Sequence, residues 1–398
     1  NWKSFGGGDP ARRTLALSGL TWFVGPNASG KSNALDALRF LQGAALDYRL
    51  DDVLQGHWEG QREIWPPIRG GTSEAARLGS PGFKITTGWT MGGERLTHEL
   101  GVSITPGVLN PLQIVVSRER LADGEDKDLF EAANPHLHGR FPVAVKSKDE
   151  TVDLHFNYSS TRSVLSQIQP HEELDRALIA SAQSLRQALR EVAFLDIQPS
   201  LMRYYRPESA GQLGSSGENI SPVLAAISEE RRREVVDWVS ELCAPEIEAI
   251  DFDRTQFRDV MMILVERGGR RVSARSVSDG TLRFLGQLVA LLTVPEHSLL
   301  VMEEPDVGLE PSRIRLMAEI LETVSAQRSV QIIATTHSPT LLAHLSERAL
   351  GDVVAFGRDP QSGDTICSRL ADLPHFQTLR EASNIEHLVS TGWLERAL

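Results

Sequence analysis

The chain has 398 residues and a formal net charge of −12, with 41% hydrophobic and 24% charged residues. That balance describes a folded water-facing protein, excludes a disordered or collagen-like chain, and argues against a surface that coats nucleic acid indiscriminately, although a local basic groove stays compatible with it. No stretch approaches the ~18 apolar residues that a membrane span needs, and no secretory leader is visible. Cys243 and Cys367 form no spacing pattern, so neither a disulfide framework nor a zinc site is expected and a reducing cytoplasm fits. Arginine dominates over lysine, and no lysine follows Lys148, a usage that points to a GC-rich bacterial genome.

In chain order, the first element is "LTWFV" (Leu20 to Val24), short, apolar and β-prone, hence a buried strand. "GPNASGKS" follows at 25–32, then "NALDALRFLQG", with Leu35, Leu38 and Leu41 three residues apart and Gly43 where a helix would stop. Strand, Gly-rich loop and helix in this order form a P-loop. Its glycines let the backbone N–H groups and the helix N-terminus face phosphates. Lys31 supplies a point charge for the β- and γ-phosphates, and the Ser32 hydroxyl is placed to bind Mg²⁺.

"FKITTGWTM" and "RLTHELGVSI" read as a hairpin around Gly92-Gly93. From about 106 to 245 the pattern changes. The polar run near Leu121 to Asp128 is a loop, and "EELDRALIASAQSLRQALREV" (Glu172 to Val192) is strongly helical. "GQLGSSGEN" (Gly211 to Asn219) is a Gly/Ser loop and "SEERRREVVDWVSEL" (Ser228 to Leu242) a second helix. The Arg231–Arg233 triplet is expected on a solvated face, paired with neighbouring glutamates. Sustained heptads, and so a long coiled-coil arm, are missing from the sequence of this region.

Three later segments extend the site. "SVSDGTLRFLGQLVALL" (Ser276 to Leu292) has Ser278 as cap of a helix with an apolar stripe at Leu282, Leu285, Leu288 and Leu292. Beyond capping, Ser278 and Gly280 can present donors to a γ-phosphate held by a second copy. "SLLVMEEP" (Ser298 to Pro305) is an apolar strand ending in Glu303 and Glu304. One carboxylate there can hold Mg²⁺ and the next can orient the attacking water. "QIIATTHSP" (Gln331 to Pro339) is a β-rich run ending in Thr335, Thr336 and His337, whose imidazole can reach a γ-phosphate or its water.

The set "GPNASGKS", "SVSDGT", "LLVMEEPDVGLEP" and "ATTHSP" resembles the ABC-type ATPase heads of the SMC, RecF and OLD lineage, most of all the compact bacterial AAA-type ATPases. The opening "NWKSF", "RGG" (Arg69 to Gly71), "SRERL" (Ser117 to Leu121) and "GENI" (Gly217 to Ile220) resemble recurring features of that group. The resemblance implies an α/β P-loop NTPase fold of ABC-ATPase-head type with an inserted, mostly helical lobe. It implies an N-terminal ATPase lobe over 1–105, the insertion over 106–245, and a C-terminal ATPase lobe over 246–398. It implies ATP with Mg²⁺. The nucleotide site would use Gly25, Pro26, Asn27, Ala28, Ser29, Gly30, Lys31, Ser32 and Asn33, with Ser278, Asp279, Gly280 and Thr281 as the signature that completes a partner's site. Ser32 and Glu303 would hold the metal; Glu304, His337 and Lys31 would be catalytic; Asp306 falls near the loop that crosses the dimer interface.

Departures from the pattern are Glu303 where many heads have Asp and Glu310 where relatives often have His before Pro311. Gln55 and Gln61 are both candidates for the Q-loop glutamine. "SVSDGT" departs from the transporter signature, the Asn-Lys-x-Asp guanine-reading motif of GTPases is missing, and the tail beyond His337 has no paired-acid nuclease pattern. The resemblance implies an ATP-dependent homodimer switch in bacterial DNA sensing, repair or phage defence, acting with a separately encoded effector and with DNA as a further partner class; the alternatives are a regulatory or scaffolding ATPase that controls a separately encoded toxin or nuclease without itself binding DNA and, less favoured, a transporter ATPase subunit.

Overall fold

The structure is a computed structural model that describes residues 1–106, 112–133, 140–145, 154–209, 211–241, 246–382 and 385–398; Lys148 and Cys243 lie outside the described residues. The chain forms two compact units, each assembled from separate stretches of sequence.

One unit comprises Thr14–Ser29, Ala193–Gly357 and Cys367–Leu398. Its main sheet has the strand order Ala193–Leu195, Leu299–Glu303, Gln331–Thr336, Leu20–Val24, Val354–Arg358, Thr365–Arg369, the last two strands continuing across the unit's chain boundaries. The pairings from Ala193–Leu195 through to Val354–Arg358 are parallel. Every residue of Leu20–Val24 is buried, as a parallel strand covered on both faces requires. The crossover helices Asp279–Thr293 and Pro311–Arg328 bury Leu282, Leu285 and Leu288, and Met317 and Leu321, in the core that also receives Trp22 and Val24. A second, antiparallel sheet pairs Ile247–Arg254, Asp259–Glu266 and Arg270–Ser273. The helix Glu229–Ser240 starts at Ser228, whose hydroxyl accepts from Arg231 N. Its arginines pair with their own helix, Arg231 with Glu234 and Arg232 with Glu229, both at 2.9 Å. The self-pairing is as the sequence suggested, but only Arg233 is fully on the solvated face; Arg232 is half-buried and also donates to the carbonyls of Leu224, Ala225 and Ile227.

The other unit comprises Asn1–Arg13, Gly30–Val192 and Arg358–Ile366. A six-stranded antiparallel sheet runs in sequential order: Gly82–Met91, Glu94–Thr105, Gln113–Ala122, Asp128–Ala133, Arg140–Val145 and Leu154–Ser159. Its first hairpin is the expected one: Met91 pairs with Glu94, and Gly92 and Gly93 both have positive φ, 59° and 87°. The helix Arg176–Arg190 is present, capped by Asp175, which accepts from Ala177 N at 2.6 Å.

Two expectations are corrected. The stretch expected to be a mostly helical insertion over 106–245 carries strands through its first half; they extend the antiparallel sheet, and from Ala193 onward the chain joins the other unit. Short runs such as Gln113–Ala122, with Ile114, Val115 and Val116 followed by charged residues, give a weaker local signal than a 15-residue amphipathic helix, but the hairpin next to them supplies an edge on which they pair. Gly43 does not end its helix, which runs Lys31–Ala45. A Cβ at Gly43 would lie 2.7 Å from Val53 Cγ1 and 2.9 Å from Trp65 Cζ2, so Gly43 is the close-packing point of the helix rather than its stop.

The minor motifs each brace their own unit from within. In "NWKSF", Trp2 packs edge-on to Phe83 at 4.7 Å, and its indole N–H donates to Asn33 O at 2.7 Å. Lys3 Nζ donates to Asp36 Oδ2 at 2.5 Å and to the carbonyl of Arg69, while Arg69 Nε reaches Asp36 Oδ1 at 3.2 Å. The Glu119 carboxylate of "SRERL" is fully buried; it accepts from Ser163 Oγ at 2.7 Å and from Val164 N at 2.5 Å, and lies 2.9 Å from His98 Nε2. Asn219 of "GENI" accepts from Gly214 N at 2.7 Å and donates to Gln212 O, closing the Gly/Ser loop before the helix Ile220–Ala226.

Candidate functional site

The P-loop strand, the strand carrying Glu303 and the strand carrying Thr336 are successive parallel neighbours. Val24 pairs with Thr336, and Glu303 pairs with Thr335. Parallel pairing sends all three C-terminal ends to one edge of the sheet, where open α/β sheets bind ligands. Gly25, Glu303, Glu304 and His337 all follow or close those ends.

Gly25 and Gly30 bracket the loop, and both positions require glycine. A Cβ at Gly25, with φ 153°, would stand 2.3 Å from the carbonyl oxygen of Phe356. A Cβ at Gly30, with φ 111°, would stand 2.1 Å from Thr365 Oγ1. Between them Pro26 is half-buried, Asn27 and Ala28 are exposed, Ala28 takes φ 63°, and Ser29 N donates to Pro26 O at 3.3 Å. The loop backbone is therefore curled, and neither glycine position admits a side chain without displacing Phe356 or Thr365. Lys31, Ser32 and Asn33 open the helix in the other unit. Gly30, at its N-cap, has no side chain to cap it, so the helix N-terminus keeps its partial positive charge for an anion. Asn33 is committed elsewhere: its amide donates to Ser4 Oγ at 2.6 Å.

Glu304 and His337, the two expected catalytic side chains, are drawn together. His337 Nδ1 lies 3.3 Å from Glu304 Oε1, and both side chains are partly exposed. Glu304 has φ 47°, a left-handed conformation that a non-glycine residue adopts only when its surroundings hold it. Its N–H donates to both the carbonyl and the hydroxyl of Thr335, each at 3.1 Å, which is what holds it. Glu303 is exposed at the strand end beside it. Asp306, two residues after Glu304, is buried, accepts from Thr336 Oγ1 at 3.0 Å, and has its carboxyl pushed above the ordinary range by that burial.

The signature residues occupy the start of the helix Asp279–Thr293. Ser278 Oγ accepts from Thr281 N at 3.2 Å and donates to Thr281 Oγ1 at 2.9 Å, so the capping geometry is present as expected. Asp279 is held by Arg203 Nη2, and the same guanidinium donates to Ala274 O at 3.1 Å and Arg275 O at 2.8 Å. Gly280 lies against the backbone of Gly308 in the loop after the glutamates, and Gln287 Nε2 donates to Pro305 O at 3.1 Å. Of the two Q-loop candidates, Gln55 donates to Thr72 Oγ1 at 3.0 Å, and Gln61 is exposed in the turn between strands His57–Glu59 and Arg62–Trp65. Arg203 and Thr365 are supporting residues that sequence reasoning missed, and the contacts of Thr335 with Glu304 and of Thr336 with Asp306 were not foreseen either. Each acts on a residue distant in the chain, so no local pattern announces it.

Among solved structures, the chain is similar to the SMC head domain from Thermotoga maritima, with 13% identity, a TM-score of 0.39 and coverage of 92% of this chain and 95% of that one. It is similar to an SmcHead bound to the C-winged helix domain of ScpA, with 12% identity, TM-score 0.42 and coverage of 92% and 94%. It is likewise similar to a Pyrococcus furiosus Smc head with an extended coiled coil bound to the C-terminal domain of ScpA, with 12% identity, TM-score 0.38 and coverage of 96% and 97%. A comparison with curated proteins gives no match. Residues 20–343 match the sequence model of the family described as "AAA domain, putative AbiEii toxin, Type IV TA system", and that span holds every nucleotide motif set out above. The chain belongs to this AAA-domain family and has its α/β P-loop NTPase fold.

Proposed function

We propose that the protein binds and hydrolyses ATP and uses the cycle to switch between a closed homodimer and separate copies. The observation that carries this reading is the placing of Glu304 and His337 within 3.3 Å on the sheet edge that also bears the start of the P-loop. The residues suit ATP with Mg²⁺. Gly25 and Gly30 keep the loop backbone free of side chains, so that its N–H groups can meet phosphate, and Ser32 and Glu303 are the hard oxygen donors that Mg²⁺ takes. Bound Mg²⁺ would offset charge on the β- and γ-phosphates.

In this reading Lys31 and the amides of Gly25 to Ser32 bind the phosphates. Glu304 Oε1 accepts a proton from the attacking water, which adds to the γ-phosphorus as ADP leaves. His337, with Nδ1 towards Glu304, holds that carboxylate in place and turns Nε2 outward. Ser278 to Thr281 of one copy supply donors to the γ-phosphate held by the other, so hydrolysis removes the contact that keeps the copies together.

The family's description, with its toxin and toxin–antitoxin wording, supports a switch that works with a separately encoded effector over a repair ATPase that acts alone on DNA. The net charge of −12 supports the same preference. Steady-state ATP hydrolysis with and without double-stranded DNA, with Glu304→Gln as the blank, tests the reading. Turnover that is lost in the blank and indifferent to DNA is expected. Turnover undiminished in the blank overturns the site; strong, salt-sensitive stimulation by DNA moves the role to DNA sensing. Light scattering of Glu304→Gln protein with ATP tests the dimer, and a monomer there overturns the switch.

A further inference from the structure

Thr336 and Ser338 flank His337, and both are tied down. Ser338 N donates to Thr336 Oγ1 at 2.9 Å, and Ser338 Oγ accepts from Leu341 N at 3.3 Å at the start of the helix Pro339–His344. A backbone N–H can only donate, so the Thr336 hydroxyl meets Ser338 with a lone pair. Its single proton goes to the remaining partner, Asp306 Oδ2, at 3.0 Å. Thr336 is fully buried and Asp306 is 6% exposed, so water does not compete for either.

The same two segments are joined one rung earlier, where Glu304 N donates to the carbonyl and hydroxyl of Thr335. The chain carrying Glu304 and the chain carrying His337 are therefore laced at successive residues, and both catalytic candidates stand on the laced section. The imidazole itself meets Glu304 at 3.3 Å, long for a hydrogen bond, so the ring's aim depends on its backbone.

We propose that Asp306 is a positioning residue that acts through the Thr336 hydroxyl to fix the backbone at His337, and so sets the aim of the imidazole at Glu304. The proposal rests on reading Glu304 and His337 as the hydrolytic pair. The carboxyl is an unfavourable group to bury: Asp306 Oδ1 has no partner among the described residues, and burial pushes its pKa up. A carboxyl buried at this cost contributes through what it holds.

The test compares Thr336→Val, which keeps shape and removes the hydroxyl, with Thr336→Ser, which keeps the hydroxyl. In Thr336→Val the kcat for ATP falls by about tenfold to a hundredfold while KM and the ATP Kd stay within about twofold. Thr336→Ser restores kcat to within about threefold of the parent. In parallel, NMR of histidine-labelled protein, with the His337 signal assigned by His337→Asn, follows the ring directly. That signal shifts or broadens in Thr336→Val and returns in Thr336→Ser. An unmoved ring signal in Thr336→Val overturns the relay whether or not the protein turns over ATP. A parent protein without ATPase activity whose ring still responds keeps the relay and overturns the hydrolytic reading instead.

Discussion

His337 Nδ1 stands 3.3 Å from Glu304 Oε1, across 33 residues of sequence. A glutamine at 304 would preserve the contact and lose the ability to take a proton. Glu304→Gln is expected to lower kcat by about 10²–10⁴-fold with ATP affinity retained. His337→Ala, which removes a support of the carboxylate, is expected to cost less, about tenfold to a hundredfold. Phosphate release and equilibrium nucleotide binding separate the two effects.

Gly30 is the tightest point of the loop, with φ 111° and the Thr365 hydroxyl 2.1 Å from where a Cβ would be. Gly30→Ala has to pay both the backbone strain and a displacement of Thr365. A loss of about 1–3 kcal/mol in stability is expected from the strain alone. ATP affinity is expected to fall by more than about tenfold, since the cradle must open to admit the methyl group. Thermal unfolding and nucleotide titration of the purified variant check both.

Asp306 gives a pH dependence of defined sign. Burial raises its folded pKa above the unfolded value, so the protonated form is the one the fold prefers. The stability associated with that form is fully present below the unfolded pKa, about 3.9, and is lost as pH rises through the folded pKa. Asp306→Asn removes the titration and still offers Thr336 an acceptor. The variant is expected to melt higher than the parent at pH 8, by on the order of a few °C, and the gap is expected to close as pH falls towards 4. A gap that widens on acidification would show the opposite linkage.

Gly43 sets two effects against each other. Alanine in a helix interior is favoured over glycine by about 0.8–1.0 kcal/mol. The added Cβ would lie 2.7 Å from Val53 Cγ1 and 2.9 Å from Trp65 Cζ2, and overpacking of this kind costs about 1–3 kcal/mol. Gly43→Ala is expected to be destabilising by about 1–2 kcal/mol in denaturant titration, the packing term being the larger. The double variant Gly43→Ala, Val53→Ala should show a smaller loss than the two singles added, because the residues are in contact.

The placing of the P-loop, the paired glutamates and the Thr-Thr-His run at strand ends was legible because each is a contiguous signature. The helix cap at Ser278 was legible for the same reason, and its Thr281 N contact at 3.2 Å is local. Gly43 was misread because a glycine ending an apolar repeat and a glycine admitting a neighbouring helix look alike in sequence. The strands Gln113–Ala122 to Leu154–Ser159 were underread because a strand takes its stability from a partner that local pattern does not display.

By itself, then, the sequence determined a P-loop motif, two carboxylates and a histidine at strand ends, and the family to which they belong. Strand order, the Glu304–His337 contact, the Thr335 clamp on Glu304 and the Asp306–Thr336 relay were decided only in the folded chain. Local conformation follows from local steric and hydrogen-bonding preferences, which a run of residues states directly. Contacts between segments some thirty residues apart depend on which strands pair and in which register, and that is settled by burial of the whole sheet.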